Sequence, residues 1–122
     1  MKPGKTGITR IVDATGYSMS GIRAAWKNEA AFRQEAVIAA LMLPAAFWIG
    51  STVVEYVLLV GCLFIVLITE LLNSAIEAIV DRVGTEHHEL SGQSKDMASA
   101  AVLFSLLLTA FVWGAIAWQN LL

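Results

Sequence analysis

The chain has 122 residues, 57% of them hydrophobic and 15% charged, with a formal net charge of −2. That length allows one domain, and a mean hydropathy of +0.69 excludes an ordinary soluble protein, whose apolar share is about 45–50%. A single cysteine, Cys62, excludes an intrachain disulfide and a cysteine-built metal site, and no nucleic-acid partner is expected.

The opening MKPGKT, residues 1–6, is expected to be disordered. Residues 8–27 then follow a helical period. Ile8, Ile11, Val12, Met19, Ile22 and Trp26 fall on one side, with Arg10, Asp13, Arg23 and Lys27 mostly elsewhere. This predicts an amphipathic helix over about 7–27, lying in the membrane surface. Gly16 and Gly21 weaken it and point to a break near GYSMSG. Taken alone, the segment also fits a plain surface anchor. No cleavable signal peptide is expected, because the first apolar run starts only after Glu35.

Residues 28–35, NEAAFRQE, form a charged collar. A first spanning helix is predicted at about 35–50, since Ala36 to Val54 carry no charge and about 20 residues suffice to cross a bilayer. Pro44 is expected to kink it, as membrane helices tolerate. Trp48 marks the far interface. A short turn at about 50–53 leads to a second helix, about 53–82, with Glu55 and Tyr56 at the outer interface. The loop 83–94, VGTEHHELSGQS, is polar with two glycines. The third span, about 95–120, opens on Lys95 and Asp96 and has no charged side chain from Met97 to Leu122. Trp113 and Trp118 lie towards its far end. Ala101, Ser105 and Thr109, and the pair Ala110 and Gly114, recur at four-residue spacing. Such spacing suits close helix packing, in an oligomer or within one chain. Cys62 reads as a small packing residue.

All eight basic residues precede the first span or flank the loop between the second and third. The positive-inside rule makes that side cytoplasmic, N-terminus included. The polar part of the second helix belongs to the same side. At about 100° per residue, Glu70, Asn73 and Glu77 share one third of the helix circumference. Measured from Asp81 as the interface, Glu77 lies about 6 Å in, Asn73 about 12 Å and Glu70 about 16 Å. A charge within a span costs about 2.5–3.5 kcal/mol on insertion scales. Glu77 and Asp81 also fit a hydrated helix end, and Glu70 with Asn73 fits interhelical hydrogen bonding.

Carboxylates with aqueous access suit Mg²⁺. Lys95 can neutralise phosphate, and a deeper glutamate can serve as general base towards a hydroxyl. These are parts for phosphoryl transfer, yet the chain lacks the P-loop and protein-kinase motifs. The residues therefore leave open a lipid-modifying enzyme, a small proton-coupled carrier or a membrane assembly subunit. A carrier would place its ionisable groups near the midplane with openings to both sides. Here the outer half of every span holds no carboxylate beyond Glu55. His87 and His88 are adjacent, diverge on a helix and make a poor metal pair.

Three stretches match a known pattern: RIVDATGYSMSGIRAAWKNEAAFRQE (10–35), ELLNSAIEAIVDR (70–82) and EHHELSGQSKDMASAAVL (86–103). They resemble the small prokaryotic diacylglycerol kinase family over roughly residues 7–118. The E-x-x-N-x-x-x-E pattern, the collar and the K-D-M stretch occur in the family's order and spacing. The resemblance implies an all-α membrane protein with an N-terminal surface helix and three transmembrane helices, working as a homotrimer in the bacterial inner membrane. It implies transfer of the γ-phosphate of Mg-ATP to diacylglycerol, giving phosphatidic acid. By the same resemblance Glu70 would be the general base, supported by Asn73, and Glu29 and Glu77 would hold Mg²⁺ and through it ATP. Lys95 and Asp96 would bind nucleotide, with Arg10, Tyr17, Glu86, His87 and His88 completing that site. The lipid would contact Arg10, Ala14, Ala31, Arg33, Gln34, Glu35, Glu70 and Ser99, with its chains near Trp48 and Trp113. Met19 and Ser20 depart from an expected aromatic and basic residue, and His87 stands at a position often aromatic. Related small enzymes phosphorylate undecaprenol, so that acceptor stays open beside diacylglycerol.

Overall fold

A computed structural model describes residues 6–84 and 89–122. The expectations for residues 1–5 and for Glu86, His87 and His88 lie outside those residues. The described chain is all helical: α1 is Gly7–Asn28, α2 Ala30–Ile49, α3 Val53–Val83 and α4 Glu89–Leu121. Helices α2, α3 and α4 are long and apolar enough to cross a membrane.

Helix α1 runs unbroken through GYSMSG, where a break was expected. Each glycine costs only about 1 kcal/mol against alanine, and the rest of its 22 residues outweigh two of them. Its apolar side faces outward: Ile8, Ile11, Val12, Ile22 and Trp26 are exposed and only Ala25 is buried. Such a face against water would be costly, and the membrane surface is its natural partner.

The collar is helical rather than a separate segment before the first span. Helix α2 begins at Ala30, not near 35, and includes most of NEAAFRQE as its first turns. Glu29 alone joins the two helices, with extended torsions of φ −119° and ψ 105°. Helix α4 also begins early, at Glu89, so ELSGQS continues the span towards water instead of closing a long loop. Charged and polar residues in a solvated helical turn read like a loop, because nothing apolar repeats there.

Gly50 ends α2, and the tight turn to α3 needs it. A methyl group at Gly50 would lie 2.7 Å from the Tyr56 ring and 3.1 Å from the Ala46 carbonyl. Thr52 caps α3 by accepting the Glu55 N–H at 3.2 Å. Helices α3 and α4 then pack against each other more extensively than any other pair. The apolar core is small and sits towards the α2–α3 turn, the outer end in the orientation expected from the basic residues. Ala46, Leu59 and Ile116 are its buried centre, with Val112 and Trp113 against them. Trp113, expected beside acyl chains, donates its indole N–H to the Leu59 carbonyl at 3.1 Å. Further in, Thr69 donates to Ser105 at 3.1 Å, and Thr109 approaches the Cys62 carbonyl at 3.5 Å. Ser105 and Thr109 of the small-residue pattern thus serve packing within the chain. Large apolar side chains such as Leu41, Phe64, Phe104 and Phe111 remain exposed, a surface that lipid or further chains must cover.

Candidate active site

The α3 face predicted from helical period is present. Glu70 is 4% exposed, a buried carboxylate inside the most apolar helix. The neighbouring carboxylates whose charge reaches it are Glu35 from α2, Glu77 one face-repeat along α3, and Glu29 at the joint. The helical collar is what delivers two of these. Because α2 starts at Ala30, Glu29 caps its first turn and Glu35 follows on the same helix. Carboxylates from α2, α3 and the joint thus act electrostatically on Glu70.

Asn73 lies between Glu70 and Glu77. Its Nδ2 donates to Glu77 Oε1 over a long 3.4 Å. Its Oδ1 is buried and, among the described residues, has no hydrogen-bond partner. An orphaned buried acceptor costs about 1–3 kcal/mol, so this atom suits a donor from outside the described residues. Nearer the water, Lys95 Nζ donates to Asp81 Oδ1 at 2.7 Å, linking the inner ends of α4 and α3. The pair is solvent-exposed, and Glu77 is the other carboxylate acting on Lys95. Asp96 is exposed on the next position of α4.

Two grooves flank this polar face. One, of about 480 Å³, lies between α1 and α3 and is lined by Ile22, Ala25, Leu71, Ala75 and Ala78, with Glu29 at its edge. The other, of about 420 Å³, lies between α3 and α4 and includes Asn73, Ile76, Met97 and Ala98. An apolar slot opening beside carboxylates can hold a lipid next to groups that handle protons and phosphate.

Among the described residues no three His, Cys, Asp or Glu side chains gather closely enough to hold a metal by themselves. A pair such as Glu29 and Glu77 still fits Mg²⁺, which is commonly bound by one or two carboxylates plus waters and substrate phosphates. Glu29 spends no side-chain bond on capping either helix.

Not every residue expected at the site arrives there. Arg10 and Tyr17 are exposed on α1. Arg10 precedes Glu29 by about 28 Å of helix and Tyr17 by about 18 Å. Of the lipid set, Glu35 acts on Glu70 through its charge, while Ala31, Gln34 and Ser99 are exposed. Ala14 is partly covered, and Trp48 is exposed at the outer end. Arg33 turns back on the protein, donating to the Trp26 and Lys27 carbonyls. Sequence reasoning missed that contact and the pairing of Asp81 with Lys95. It also missed a cluster at the outer end, where Glu55 accepts from Ser51 and from Asn120, and Asn120 donates to the Ile49 carbonyl at 2.9 Å. A lone amide near the end of an apolar helix was the available signal for the last.

The profile of the family described as prokaryotic diacylglycerol kinase matches residues 16–117. A diacylglycerol kinase of Escherichia coli (strain K12) is 51% identical over 115 residues, covering 94% of each chain. That of Haemophilus influenzae is 46% identical over 111 residues, covering 91% of this chain and 94% of the relative. That of Pseudomonas aeruginosa is 46% identical over 113 residues, covering 93% and 92%.

Proposed function

Because the chain belongs to the prokaryotic diacylglycerol kinase family, we infer that it is an ATP-dependent lipid kinase that phosphorylates diacylglycerol to phosphatidic acid. The observation that carries the mechanism is Glu70, a carboxylate buried in a membrane-spanning helix with Glu29, Glu35 and Glu77 around it. A proton-handling task at lipid depth accounts for keeping it there.

The lipid lies along the groove between α1 and α3, its hydroxyl at Glu70. Glu70 takes the hydroxyl proton as that oxygen bonds to the γ-phosphorus. The bond from this phosphorus to the bridging oxygen breaks, and ADP leaves with the electron pair. Asn73 holds Glu77 and offers its free carbonyl to a donor on a substrate. Glu29 and Glu77 would hold Mg²⁺, which would neutralise phosphate charge. Lys95 exchanges its exposed partner Asp81 for phosphate oxygens, and Asp96 contacts the nucleotide beside it. Arg10 and Tyr17 approach the nucleotide from the surface helix. Catalysis of this type rests on positioning and charge rather than on covalent chemistry.

ATP enters from the cytoplasm, so the N-terminus and the connection between α3 and α4 face that side of the bacterial inner membrane. All the basic residues on those segments support this orientation. The enzyme works as a homotrimer. Exposed apolar side chains on all three spans and the remoteness of Arg10 from Glu29 support assembly. A trimer mass in detergent, corrected for bound detergent, is expected; a monomer retaining full activity would refute it.

The deciding experiment offers purified protein diacylglycerol and undecaprenol in parallel mixed micelles, with Mg²⁺ or chelator, and with Glu70→Gln as the blank. Magnesium-dependent phosphatidic acid, lost in the variant, is the expected result. Preference for undecaprenol would keep the mechanism and change the acceptor. No transfer to either lipid by folded protein would overturn the reading.

A further inference from the structure

We propose that Arg33 is a positioning residue that locks the joint between α1 and α2 and so aims Glu29, rather than a ligand for the lipid head group. Its consequence for metal binding rests on the assignment of Glu29 to Mg²⁺ made above.

The joint is one residue long. Glu29 donates its N–H to the Ala25 carbonyl at 2.9 Å, closing α1, and accepts the Arg33 N–H at 3.2 Å, opening α2. Its extended torsions interrupt the helical ladder, so the last carbonyls of α1 lose the partners a continuing helix would give them. Arg33 fills that gap. Its main chain is anchored one turn into α2, while Nη1 reaches back and donates to the Trp26 carbonyl at 2.7 Å and the Lys27 carbonyl at 3.2 Å. Both hydrogens of that nitrogen are thereby used. The contact is charge-assisted and places a cation at the negative end of α1.

Among the described residues, α1 is only lightly packed against the bundle. It buries only Ala25 and makes few contacts with α2 and α3, and Glu29 supplies no side-chain cap to either helix. Two torsions at Glu29 set both the angle of α1 and the direction of the Glu29 carboxylate. A bond from α2 to the end of α1 restrains the two together. Loosening it frees α1, one wall of the groove between α1 and α3, and lets the Glu29 carboxylate wander from Glu70 and its neighbours.

The test compares Arg33→Gln, Arg33→Lys and Glu29→Gln in the mixed-micelle assay. Arg33→Gln is expected to raise the Mg²⁺ concentration for half-maximal activity about tenfold, the loss of a charge-assisted contact, and to lower kcat, whether or not the KM for diacylglycerol also rises. Arg33→Lys, whose ammonium can still donate to both carbonyls, should recover most of the loss. A raised lipid KM with an unchanged magnesium titration would overturn the proposal in favour of a head-group role. A second readout needs no turnover: a nitroxide at Ser20 in a Cys62→Ala background, recorded with and without Arg33→Gln. Increased motion of α1 is expected, and an unchanged spectrum would refute the lock. Should Glu29→Gln leave the magnesium titration unaltered, the metal assignment of Glu29 fails, while the nitroxide still decides the role of Arg33.

Discussion

Replacing Glu70 should move activity and stability in opposite directions. The carboxylate is 4% exposed in a span whose other buried residues are mostly apolar, and Glu35, Glu77 and Glu29 add like charge. On insertion scales an acidic residue at a helix centre costs about 2.5–3.5 kcal/mol, and leucine gains about 0.3–0.6. Those values are for the bilayer centre, and Glu70 stands about 16 Å from the wet end of α3. Glu70→Leu is therefore expected to stabilise the folded protein by about 1–3 kcal/mol, and Glu70→Gln by less. General-base catalysis contributes about 10²–10⁴-fold, so both variants should lose at least that much turnover. Reversible unfolding in mixed micelles, monitored alongside phosphatidic acid formation, reads the two effects on the same samples. A variant that loses stability would mean that Glu70 makes a favourable bond which its replacement cannot make. A variant that keeps turnover would remove Glu70 from the base role.

Gly50→Ala should destabilise the protein by about 1–3 kcal/mol through overpacking, because its methyl would meet the Tyr56 ring at 2.7 Å; thermal unfolding should show the loss, and Tyr56→Ala in the same chain should relieve much of it. Trp113→Phe keeps an aromatic ring but removes the indole donor to the Leu59 carbonyl, with an expected cost of about 1 kcal/mol or more in a denaturation series and an unchanged diacylglycerol KM. Asn120→Ala cuts the tie from the end of α4 to Glu55 and Ile49. A lower melting temperature with kcat intact is expected, and a fall in kcat without a change in melting would show that the outer end communicates with the site.

Those outer contacts illustrate which parts of the molecule were legible in the sequence. The spans were, because uncharged apolar runs admit few alternatives. Helix α3 was expected at about 53–82 and is Val53–Val83, and the surface helix at about 7–27 is Gly7–Asn28. The face shared by Glu70, Asn73 and Glu77 followed from period alone. The starts of α2 and α4 did not, since NEAAFRQE and ELSGQS are polar and a hydrated turn of helix has no apolar signature. Contacts between helices were hidden for a different reason. Asp81 and Lys95 pair only through the antiparallel register of α3 and α4. Arg33 bonds to main-chain carbonyls, which carry no residue identity and leave no mark on the sequence of α1.

The placement of these features separates stability from chemistry along the bundle axis. Ala46, Leu59, Ile116 and the Trp113 bond hold the outer half, where Gly50 and the Glu55–Asn120 contact close the turn. The inner half gives up that packing. It carries a buried carboxylate and an amide oxygen that is unpartnered among the described residues. Such groups are individually unfavourable in an apolar helix, and they persist because the outer half secures α3 and α4 independently of them. Helix α1 belongs to neither half: its apolar face lies outside the bundle and its hold on α2 is one residue long. A surface helix restrained mainly at Glu29 can follow the membrane interface while its last turn stays in register with Glu70. Tethering the helix at the residue assigned to the metal makes the orientation of the lipid-facing element and the geometry of the phosphoryl site a single structural variable.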